Sequence, residues 1–480
     1  MAHIVLLQRN WFDLHGLMYI SGLLKHHGHK SQLFIEPAER NLLDLLKKLS
    51  PDFVGFSIIS DERLRAWEWA TKVKRTLKAT TIFGGVDPTI CPDIIEHPSV
   101  DIVCRGEGEL PLLELLDTFD QTGEISTDIE NLWFKKNGSV IKNPVRPLIE
   151  DLDTLPMVDR EIYYKRYRFL KNYPTKRFMV GRGCPFNCAY CCNRELKRIY
   201  RGKGKYVRRH SVDRVLGEIN KVKENYGVRT IDFIDDDFIS DKVWLHSFLE
   251  GYRKEIKLPF SCLVRIDLVD EETAALLKDS GCTTVSFGIE SGNENLRNSI
   301  LKKQLSDKSI MDGGLLLKKY GLKLNTYNML NIPGETLKDG FQTVNLNIKV
   351  ATDFPWCSIF QPFPGTEFWE NLVVNKSSER STNFLESLNF YSSSPIQQVD
   401  STPLINLEKL FFYAVKFPSL QPIIRRLVYF PPNKIFQYLF LIAFAYRHSK
   451  ANNMSLWEEI KFNLRHIGHY FKKKESNGKK

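Results

Sequence analysis

The amino-acid sequence predicts an α/β protein: a doubly wound, Rossmann-like domain, a partial (β/α)6 TIM-like barrel, and a helical C-terminal region. Three observations lead to this prediction. Strand and helix patterns alternate over residues 1–125, the alternation restarts near residue 175, and basic helical sequence follows residue 376. Short apolar strands separated by helical periods are typical of parallel sheets covered by helices. The predicted boundaries are a first domain at 1–142, a linker at 143–174, the barrel at 175–375 and the C-terminal region at 376–480.

The first domain is predicted from five strand patterns and three helical periods. The strands are expected at residues 4–7, 32–35, 53–58, 81–83 and 101–104, and the helices at 17–27, 42–49 and 64–77. Asn137-Gly138 between two apolar runs indicates a β-hairpin. The proline-rich stretch 143–158 then indicates a linker.

The barrel is predicted from six further strand patterns, each followed by a helical period. These strands are expected at residues 177–180, 230–234, 261–264, 284–288, 323–329 and 356–360. Six such units form a parallel sheet that can curl into a partial barrel, with ligands expected at the carboxyl ends of its strands.

Composition excludes several classes of protein. Hydrophobic residues make up 42% and charged residues 26% of the 480 residues, which is ordinary globular usage and argues against a disordered or fibrous chain. The start of the chain has no secretory leader pattern, so we expect a cytoplasmic protein. The longest apolar run, residues 435–446, contains Gln437 and is shorter than the roughly 20 residues of a spanning helix.

Four of the nine cysteines crowd into residues 184–192, in the spacing CxxxCxxC followed by one more Cys. A structural zinc site takes four ligands, typically two pairs of Cys or His, and the sequence has no second CxxC pair. Three thiolates on one loop instead favour an iron–sulfur cluster with one iron left open. The other cysteines lie in apolar stretches and are expected to be small core residues: Cys91, Cys104, Cys262, Cys282 and Cys357.

This cysteine segment follows the first barrel strand and has an aromatic residue before its third cysteine, which resembles the radical S-adenosylmethionine (SAM) enzymes. The resemblance implies that Cys184, Cys188 and Cys191 hold a 4Fe-4S cluster whose open iron binds the amino and carboxylate groups of SAM. It also implies that Tyr190 lies near the adenine, and it gives Cys192 no role beyond packing.

The resemblance extends over about residues 175–370. Asp235 and Asp236 stand at the SAM-amino motif, in the acidic form of the family's cobalamin-dependent branch, although carboxylates 235–237 could alternatively bind a cation or cap a helix starting near Asp241. Glu290 and Ser291 match the ribose-contacting segment. The turns 331–336 and 362–366 also match, with Asn331 in place of a more usual glycine, and Arg265 is a candidate polar wall of the SAM site.

The amino-terminal domain resembles the cobalamin-binding domain that precedes this barrel. The candidate cobalamin-binding residues lie after the predicted strands: Asn10, Ser57, Gly84, Gly85, Asp87, Gly106, Glu107 and Gly108. Sharp turns alone would also require the glycines. The family more often has His where Asp87 stands, and residues 13–16 do not form the DxHxxG motif of other cobalamin proteins, so no His ligand to cobalt is expected.

The resemblance therefore implies an enzyme that cleaves SAM reductively, generates a 5′-deoxyadenosyl radical and, with cobalamin, methylates or rearranges an unactivated carbon of a small-molecule or lipid-like substrate. An external one-electron reductant would be its partner. The alternative is a non-catalytic, metal-stabilised binding module with a basic tail that binds nucleic acid or a membrane. The tail has no recognisable nucleic-acid-binding motif, so no nucleic acid partner is expected.

The C-terminal region carries most of the charge. From residue 401 onward there are 14 Lys and Arg against 4 Asp and Glu, which accounts for ten of the eleven net positive charges. The apolar run 435–446 is bracketed by Arg425, Arg426, Lys434 and Arg447, a pattern that can lie in a membrane interface. Peripheral contact with anionic membranes is therefore one hypothesis. The other is that this helix packs against the barrel with its charges solvated.

Overall fold

The computed structural model describes residues 1–370 and 396–451, and it divides the chain into two compact units. Of the described residues, the first unit comprises 1–172, 179–218 and 361–370, and the second comprises 173–178, 219–360 and 396–451. Parts of the predicted C-terminal region, residues 376–395 and 452–480, lie outside the described residues. The domain boundaries drawn from the sequence stay a prediction.

A seven-stranded sheet forms the centre of the first unit. Its strands are β1 (His3–Gln8), β2 (Lys30–Ile35), β3 (Phe53–Ser57), β4 (Thr80–Gly84), β5 (Ile102–Cys104), β6 (Leu132–Lys136) and β7 (Ser139–Lys142). The order is β2-β1-β3-β4-β5-β6-β7, and only the last two strands are antiparallel to their neighbours. All six residues of β1 are buried, as expected for a sheet covered on both faces.

Three helices lie close to where the sequence predicts them: α1 (His15–His26), α2 (Leu42–Leu49) and α3 (Arg63–Thr76). The structure adds α4 (Val86–Ile90) after β4 and α5 (Glu109–Thr122) after β5. The hairpin between β6 and β7 is confirmed, because Asn137 and Gly138 both have the positive φ that a tight hairpin turn requires. The order of β1, β3 and β4 creates a crevice at their carboxyl ends.

The rest of the first unit packs onto this sheet. Residues 143–172 contain the short helices α6 (Glu161–Tyr164) and α7 (Arg168–Lys171), and the Tyr163 hydroxyl is buried against the Gln8 side chain. Further along the chain, β9 (Gly181–Arg182) pairs antiparallel with β10 (Arg208–Arg209), and α8 (Cys192–Ile199) lies between them in the chain.

The second unit contains a six-stranded parallel sheet of order β15-β14-β13-β12-β11-β8. The strands are β8 (Thr175–Phe178), β11 (Thr230–Phe233), β12 (Phe260–Leu263), β13 (Cys282–Glu290), β14 (Lys323–Leu330) and β15 (Phe354–Ile359). The connecting helices are α9 (Val212–Asn225), which begins in the first unit, α10 (Lys242–Glu255), α11 (Glu271–Asp279), α12 (Asp307–Lys319) and α13 (Leu337–Lys349). Each strand lies within about two residues of its predicted start.

The short helix α14 (Glu367–Trp369) belongs to the first unit, and three C-terminal helices belong to the second. These are α15 (Ser401–Lys416), α16 (Gln421–Leu427) and α17 (Lys434–Ala451). They share one apolar core with α13, β14 and β15, formed by side chains such as Leu404, Leu407, Phe411, Leu330, Phe341 and Ile359. Within the described ranges, no helix has both the length and the hydropathy needed to cross a bilayer.

Candidate functional site

The cysteine segment begins directly after β9. Gly183 has φ +88°, and a Cβ at this position would meet the Tyr206 carbonyl oxygen at 2.5 Å, so only glycine fits this turn. The Cys184, Cys188 and Cys191 thiols are half-buried and not joined in disulfides, and α8 starts at Cys192. Cys192 is therefore the first residue of a helix, whereas the other three cysteines lie on the preceding loop.

Lys197 on α8 reaches back to this loop. Its ammonium donates to the Pro185 carbonyl at 3.1 Å and also to the Phe186 carbonyl. Burial lowers the pKa of Lys197, and Cys184, Cys191 and Cys188 oppose that shift through their charges. The three predicted ligands thus act through their charges on one cationic side chain.

The same arrangement suits an iron–sulfur cluster. Among the described residues, no three His, Cys, Asp or Glu side chains are gathered closely enough to hold a single metal ion. A cubane needs no such gathering, because each thiolate binds a different iron of the cluster. Three half-buried thiols on one loop that follows a glycine turn, none of them in a disulfide, are a donor set that fits a 4Fe-4S cluster with an open iron.

Glu107 connects the amino-terminal sheet to the strands that flank the cysteine segment. Its carboxylate accepts from Arg182 on β9 at 2.7 Å, from Arg208 on β10 at 2.9 and 3.2 Å, and from the Ile149 backbone N–H at 3.0 Å. Arg182 also donates to Glu109 at 2.6 Å. Burial alone would raise the pKa of Glu107, but Arg182 and Arg208 hold it below its usual value.

Gly106 is required by the same contact region. It has φ +85°, and any Cβ there would collide with the hydroxyl of Tyr200, which accepts a hydrogen bond from the Glu107 N–H at 2.8 Å. This glycine is thus explained by packing within the first unit. The Glu107 carboxylate is likewise occupied by protein partners, which the sequence reasoning did not anticipate.

Asp87 has a comparable internal role. Its carboxylate accepts two hydrogen bonds from the Arg63 guanidinium, both at 2.8 Å, and one from the Ser60 hydroxyl at 2.7 Å, with no exposed side-chain surface. The neighbouring Gly85 has φ +102°, and a Cβ there would meet the Ile58 carbonyl oxygen at 2.6 Å. Asp87 and Gly85 therefore hold the turn between β4 and α4 against the end of β3.

The remaining cobalamin candidates line the carboxyl edge of the first sheet and are more accessible. Asn10, Ser57, Gly84 and Gly108 are all half-buried. A Cβ at Gly84 would meet only ordinary contacts, the nearest at 3.6 Å from the Cys104 side chain. An edge built from small residues leaves the backbone open to a flat ligand, which fits cobalamin.

In the second unit, the predicted SAM residues lie at the carboxyl edge of the sheet. Asp235 and Asp237 are buried and Asp236 is exposed. Asp237 accepts from the Arg265 backbone N–H at 3.2 Å, and Asp241 caps α10 by accepting from Trp244 at 3.0 Å. The N-cap of α10 is therefore Asp241 itself.

Arg265 has protein partners on all sides. Its guanidinium donates to the Asp267 carboxylate at 2.8 Å and to the carbonyls of Lys303 and Gln304 at 2.6 and 2.7 Å. Only 9% of its side chain is exposed. Arg265 therefore fixes the turn that carries Lys303.

Glu290 is held by Lys303, a residue that the sequence reasoning missed. Their side chains form an ion pair at 2.7 Å, and both are about nine-tenths buried. Glu290 has φ +64° and its carboxylate folds back over Gly288, where any Cβ would collide with it. Ser291 is fully buried, and its hydroxyl accepts from the Asn293 N–H at 3.2 Å. A lysine thirteen residues after Glu290 gave no local signal in the sequence.

The substitution of Asn331 for a more usual glycine has a structural reason. Asn331 has φ +64°, a conformation that Asn tolerates, and its amide donates to the Ile396 carbonyl at 3.0 Å. Its side-chain oxygen accepts from Gln398 at 3.1 Å and Ser401 at 3.0 Å. Asn331 thus ties the turn after β14 to the start of α15.

Known proteins share both regions of this chain. Residues 178–346 match the family model of the radical SAM superfamily, and residues 11–116 match the model of the B12 binding domain. The chain is 30% identical over 393 residues to an uncharacterized methyltransferase of Pyrococcus horikoshii, a match that covers 80% of this chain and 82% of that protein. It is 23% identical over 373 residues to the anaerobic magnesium-protoporphyrin IX monomethyl ester cyclase of Rubrivivax gelatinosus, covering 74% of this chain and 65% of that protein.

A solved structure has the same fold. The cobalamin-dependent SAM radical enzyme OxsB with aqua-cobalamin bound superposes with a TM-score of 0.67 at 14% identity, covering 98% of this chain and 76% of that one. The likeness confirms the predicted fold class, in which a Rossmann-like domain is followed by the barrel and a helical C-terminal region.

Proposed function

Because this chain belongs to the radical SAM enzymes that carry a B12-binding domain, a family of methyltransferases and cyclases, we propose that it methylates an unactivated carbon of a small molecule. Its cofactors are a 4Fe-4S cluster, SAM and cobalamin. When bound, the cluster supplies the electron that cleaves SAM to methionine and a 5′-deoxyadenosyl radical, and cobalamin carries the methyl group. The relatives do not support the alternative of a non-catalytic binding module.

One observation carries the assignment of the cluster ligands. Cys184, Cys188 and Cys191 lie on the loop before α8 and act through their charges on the Lys197 ammonium, whereas Cys192 is the first residue of α8. The Lys197 ammonium also holds two loop carbonyls. Lys197 thus fixes the loop that presents the three thiolates, and its positive charge offsets part of their negative charge.

The SAM-binding residues divide into direct contacts and supporting residues. Glu290 would accept from the ribose hydroxyls, and Lys303 orients its carboxylate through the 2.7 Å ion pair. Arg265 acts through Lys303 by fixing the 303–304 turn. Ser291 supports the turn after Glu290, where its buried hydroxyl accepts from the Asn293 N–H. Contacts to the SAM amino group from Asp235 and Asp236, and to the adenine from Tyr190, follow from the resemblance alone.

The cobalamin assignment divides in the same way. Asn10, Ser57, Gly84 and Gly108 offer accessible backbone and small side chains at the edge of the sheet. The side chains of Asp87 and Glu107 are occupied by arginines, and Gly85 and Gly106 are required by close packing. These last four residues would shape the edge rather than bind the ligand through their side chains.

An anaerobic assay with methyl-labelled SAM tests the proposal. The full chain is reconstituted with iron, sulfide and cobalamin and then treated with dithionite. Label found in the cobalamin fraction, together with formation of 5′-deoxyadenosine, supports methyl transfer. Formation of 5′-deoxyadenosine with no labelled cobalamin would instead support rearrangement or ring closure. Absence of both products contradicts the proposal.

A second proposal concerns the C-terminal helices, which we infer to bind an anionic membrane surface. On α17, Ile435, Tyr438, Ile442 and Tyr446 follow one another at helical spacing, and each is 49–68% exposed. The opposite face of α17 is buried against the apolar core of the second unit through Phe436. The apolar core of the second unit covers only the packed face of α17, so its exposed apolar face indicates a second apolar surface that covers it.

Charge identifies that partner as an anionic surface. Tyr429 and Phe430 extend the exposed apolar surface, and Arg425, Arg426 and Lys434 lie beside it, all exposed. No Asp or Glu occurs between Lys409 and Ala451. Anionic lipid attracts each nearby Lys or Arg by about 1 kcal/mol. Docking of this kind suits a lipid-like substrate, and it leaves the chain at the surface without spanning the membrane.

Vesicle co-sedimentation tests the docking. The full chain should sediment with vesicles of equal parts phosphatidylglycerol and phosphatidylcholine at low salt, and the double variant Ile435→Asp, Ile442→Asp should not. The control Val243→Asp, Leu315→Asp changes two exposed aliphatic residues of the same unit, outside this surface, and should keep binding. Equal sedimentation of all three proteins contradicts the proposal. A concentration-dependent dimer lost only in the first variant would assign the surface to a second copy and overturn it.

A further inference from the structure

Tyr327 lies in the middle of β14 and points away from α13. Its neighbours Thr326 and Asn328 face α13, because the Thr326 hydroxyl donates to Asn347 at 2.6 Å and Asn347 donates to the Asn328 side chain at 2.8 Å. Successive side chains on a strand alternate between faces. Tyr327 therefore occupies the inner face of the sheet, where 37% of it is exposed.

The register places Tyr327 beside Glu290. Tyr327 on β14 pairs with Gly288 on β13, and side chains of paired residues in neighbouring strands point to the same face. A Cβ on Gly288 would collide with the Glu290 carboxylate, so this carboxylate lies over Gly288 on the inner face of β13. Tyr327 occupies the same face of the neighbouring strand β14, which places its ring next to the Glu290 carboxylate. In the part of the chain that the structure describes, the Tyr327 hydroxyl makes no hydrogen bond.

We propose that Tyr327 is a catalytic residue that contacts the deoxyadenosyl group and, when no substrate is bound, donates a hydrogen atom to it. The inference rests on the proposed function, in which Glu290 holds the ribose hydroxyls. In the ribose, the 5′ carbon is only two bonds from the nearer carbon that bears a hydroxyl. A phenol beside the carboxylate that holds these hydroxyls would therefore lie close to the reactive 5′ carbon.

The step balances in atoms and electrons. The phenolic O–H bond of Tyr327 breaks and a C–H bond forms at the 5′ carbon, which gives 5′-deoxyadenosine and a tyrosyl radical. One electron from the reductant that serves the cluster, and one proton from water, restore the phenol. Tyr327 thus gives the radical a defined hydrogen donor within the protein, which limits damage to the backbone and to other side chains.

Isotope incorporation tests the proposal without knowledge of the substrate. The reconstituted full chain is supplied with SAM and dithionite in D2O, with no other substrate. The phenolic proton exchanges with solvent whereas C–H hydrogens do not, so the wild type should form 5′-deoxyadenosine with one deuterium. Tyr327→Phe should lose this deuterium, and Tyr320→Phe, whose hydroxyl donates to the exposed Glu271 carboxylate at 2.6 Å, should keep it. Equilibrium dialysis of SAM with the unreduced proteins should give equal affinities.

The outcomes separate the inference from its premise. Wild-type 5′-deoxyadenosine without deuterium, or deuterium that persists in Tyr327→Phe, would overturn the role of Tyr327 and leave the proposed function intact. A tyrosyl radical in frozen samples of the wild type, absent from Tyr327→Phe, supports the role independently of product analysis. If the wild type forms no 5′-deoxyadenosine at all, the proposed function fails and the inference falls with it.

Discussion

Replacing Glu107 with Gln should release β9 and β10, the strands on either side of the cysteine segment. The substitution keeps the shape of the side chain but removes the charge that two arginines share. Breaking a buried ion pair costs about 3–5 kcal/mol. We expect a value near the lower end, about 3 kcal/mol, because Arg182 keeps Glu109 as a partner. At 1.4 kcal/mol per tenfold, protection from opening should fall roughly 100-fold.

Hydrogen–deuterium exchange of peptides that cover β9 and β10 measures this loss directly. The matched control is Glu114→Gln, because Glu114 forms a single 2.7 Å ion pair with Arg146 and is 45% exposed, so its loss should cost less than about 1 kcal/mol. Iron retained per chain after reconstitution should fall in Glu107→Gln and not in the control. Equal exchange in the two variants would refute the claim that Glu107 anchors these strands.

The same contact predicts a pH dependence. The pKa of Glu107 is held below its usual value in the folded protein. A carboxyl whose pKa is lowered by folding adds its full share of stability when the pH is above its pKa in the unfolded chain, about 4.3. That share is lost as the pH falls through its pKa in the folded protein. The protection factor at β9 in the wild type, which corrects for the slower intrinsic exchange at low pH, should therefore fall below about pH 4.3, and Glu107→Gln should lack this component.

Three further predictions concern the cofactors and one buried acid. Alanine variants of Cys184, Cys188 or Cys191 should each lose the broad thiolate–iron absorbance at roughly 400 nm. The variant Cys192→Ala should keep this absorbance. If Cys192→Ala loses the absorbance and Cys191→Ala keeps it, the assigned ligand set is wrong. Electron paramagnetic resonance of the cob(II)alamin form should show no superhyperfine coupling to a protein nitrogen, and a histidine signal would contradict the absence of a cobalt ligand. Burial raises the pKa of Glu335 to about 8. The folded protein therefore keeps a proton on Glu335 that the unfolded chain releases above about pH 4.3. As a result, the free energy of unfolding should decline as the pH rises from about 4.3 to about 8. Urea unfolding of Glu335→Gln at pH 5 and pH 8 should show a smaller decline than the wild type, and an equal decline would mean that Glu335 is ionised when folded.

The sequence by itself determined the features that depend on local order. Apolar runs and helical periods located the eleven predicted parallel strands, because burial on both faces of a parallel sheet requires continuous apolar segments. Asn137-Gly138 located the hairpin, because few other residue pairs adopt two successive positive φ values. The spacing of three cysteines on one loop likewise indicated a cluster site, since ligands from one short segment are near one another in any fold.

Tertiary structure decided which polar groups remain available to ligands. Asp87 and Glu107 stand in matching turns of the cobalamin-binding domain, yet Asp87 is bound by Arg63 and Glu107 by Arg182 and Arg208, which are 24, 75 and 101 residues distant. Partners so far apart in the chain leave no local pattern, because packing of separate elements brings them together.

The roles of Lys303 and Tyr327 also depended on tertiary structure. Lys303 reaches Glu290 because Arg265 fixes its turn, and Tyr327 lies beside Glu290 because β14 pairs with β13 in one particular register. A shift of that register by one residue would turn Tyr327 to the opposite face of the sheet. The local sequence of β14 is compatible with either register, so only the packed sheet determines which side chain faces the site.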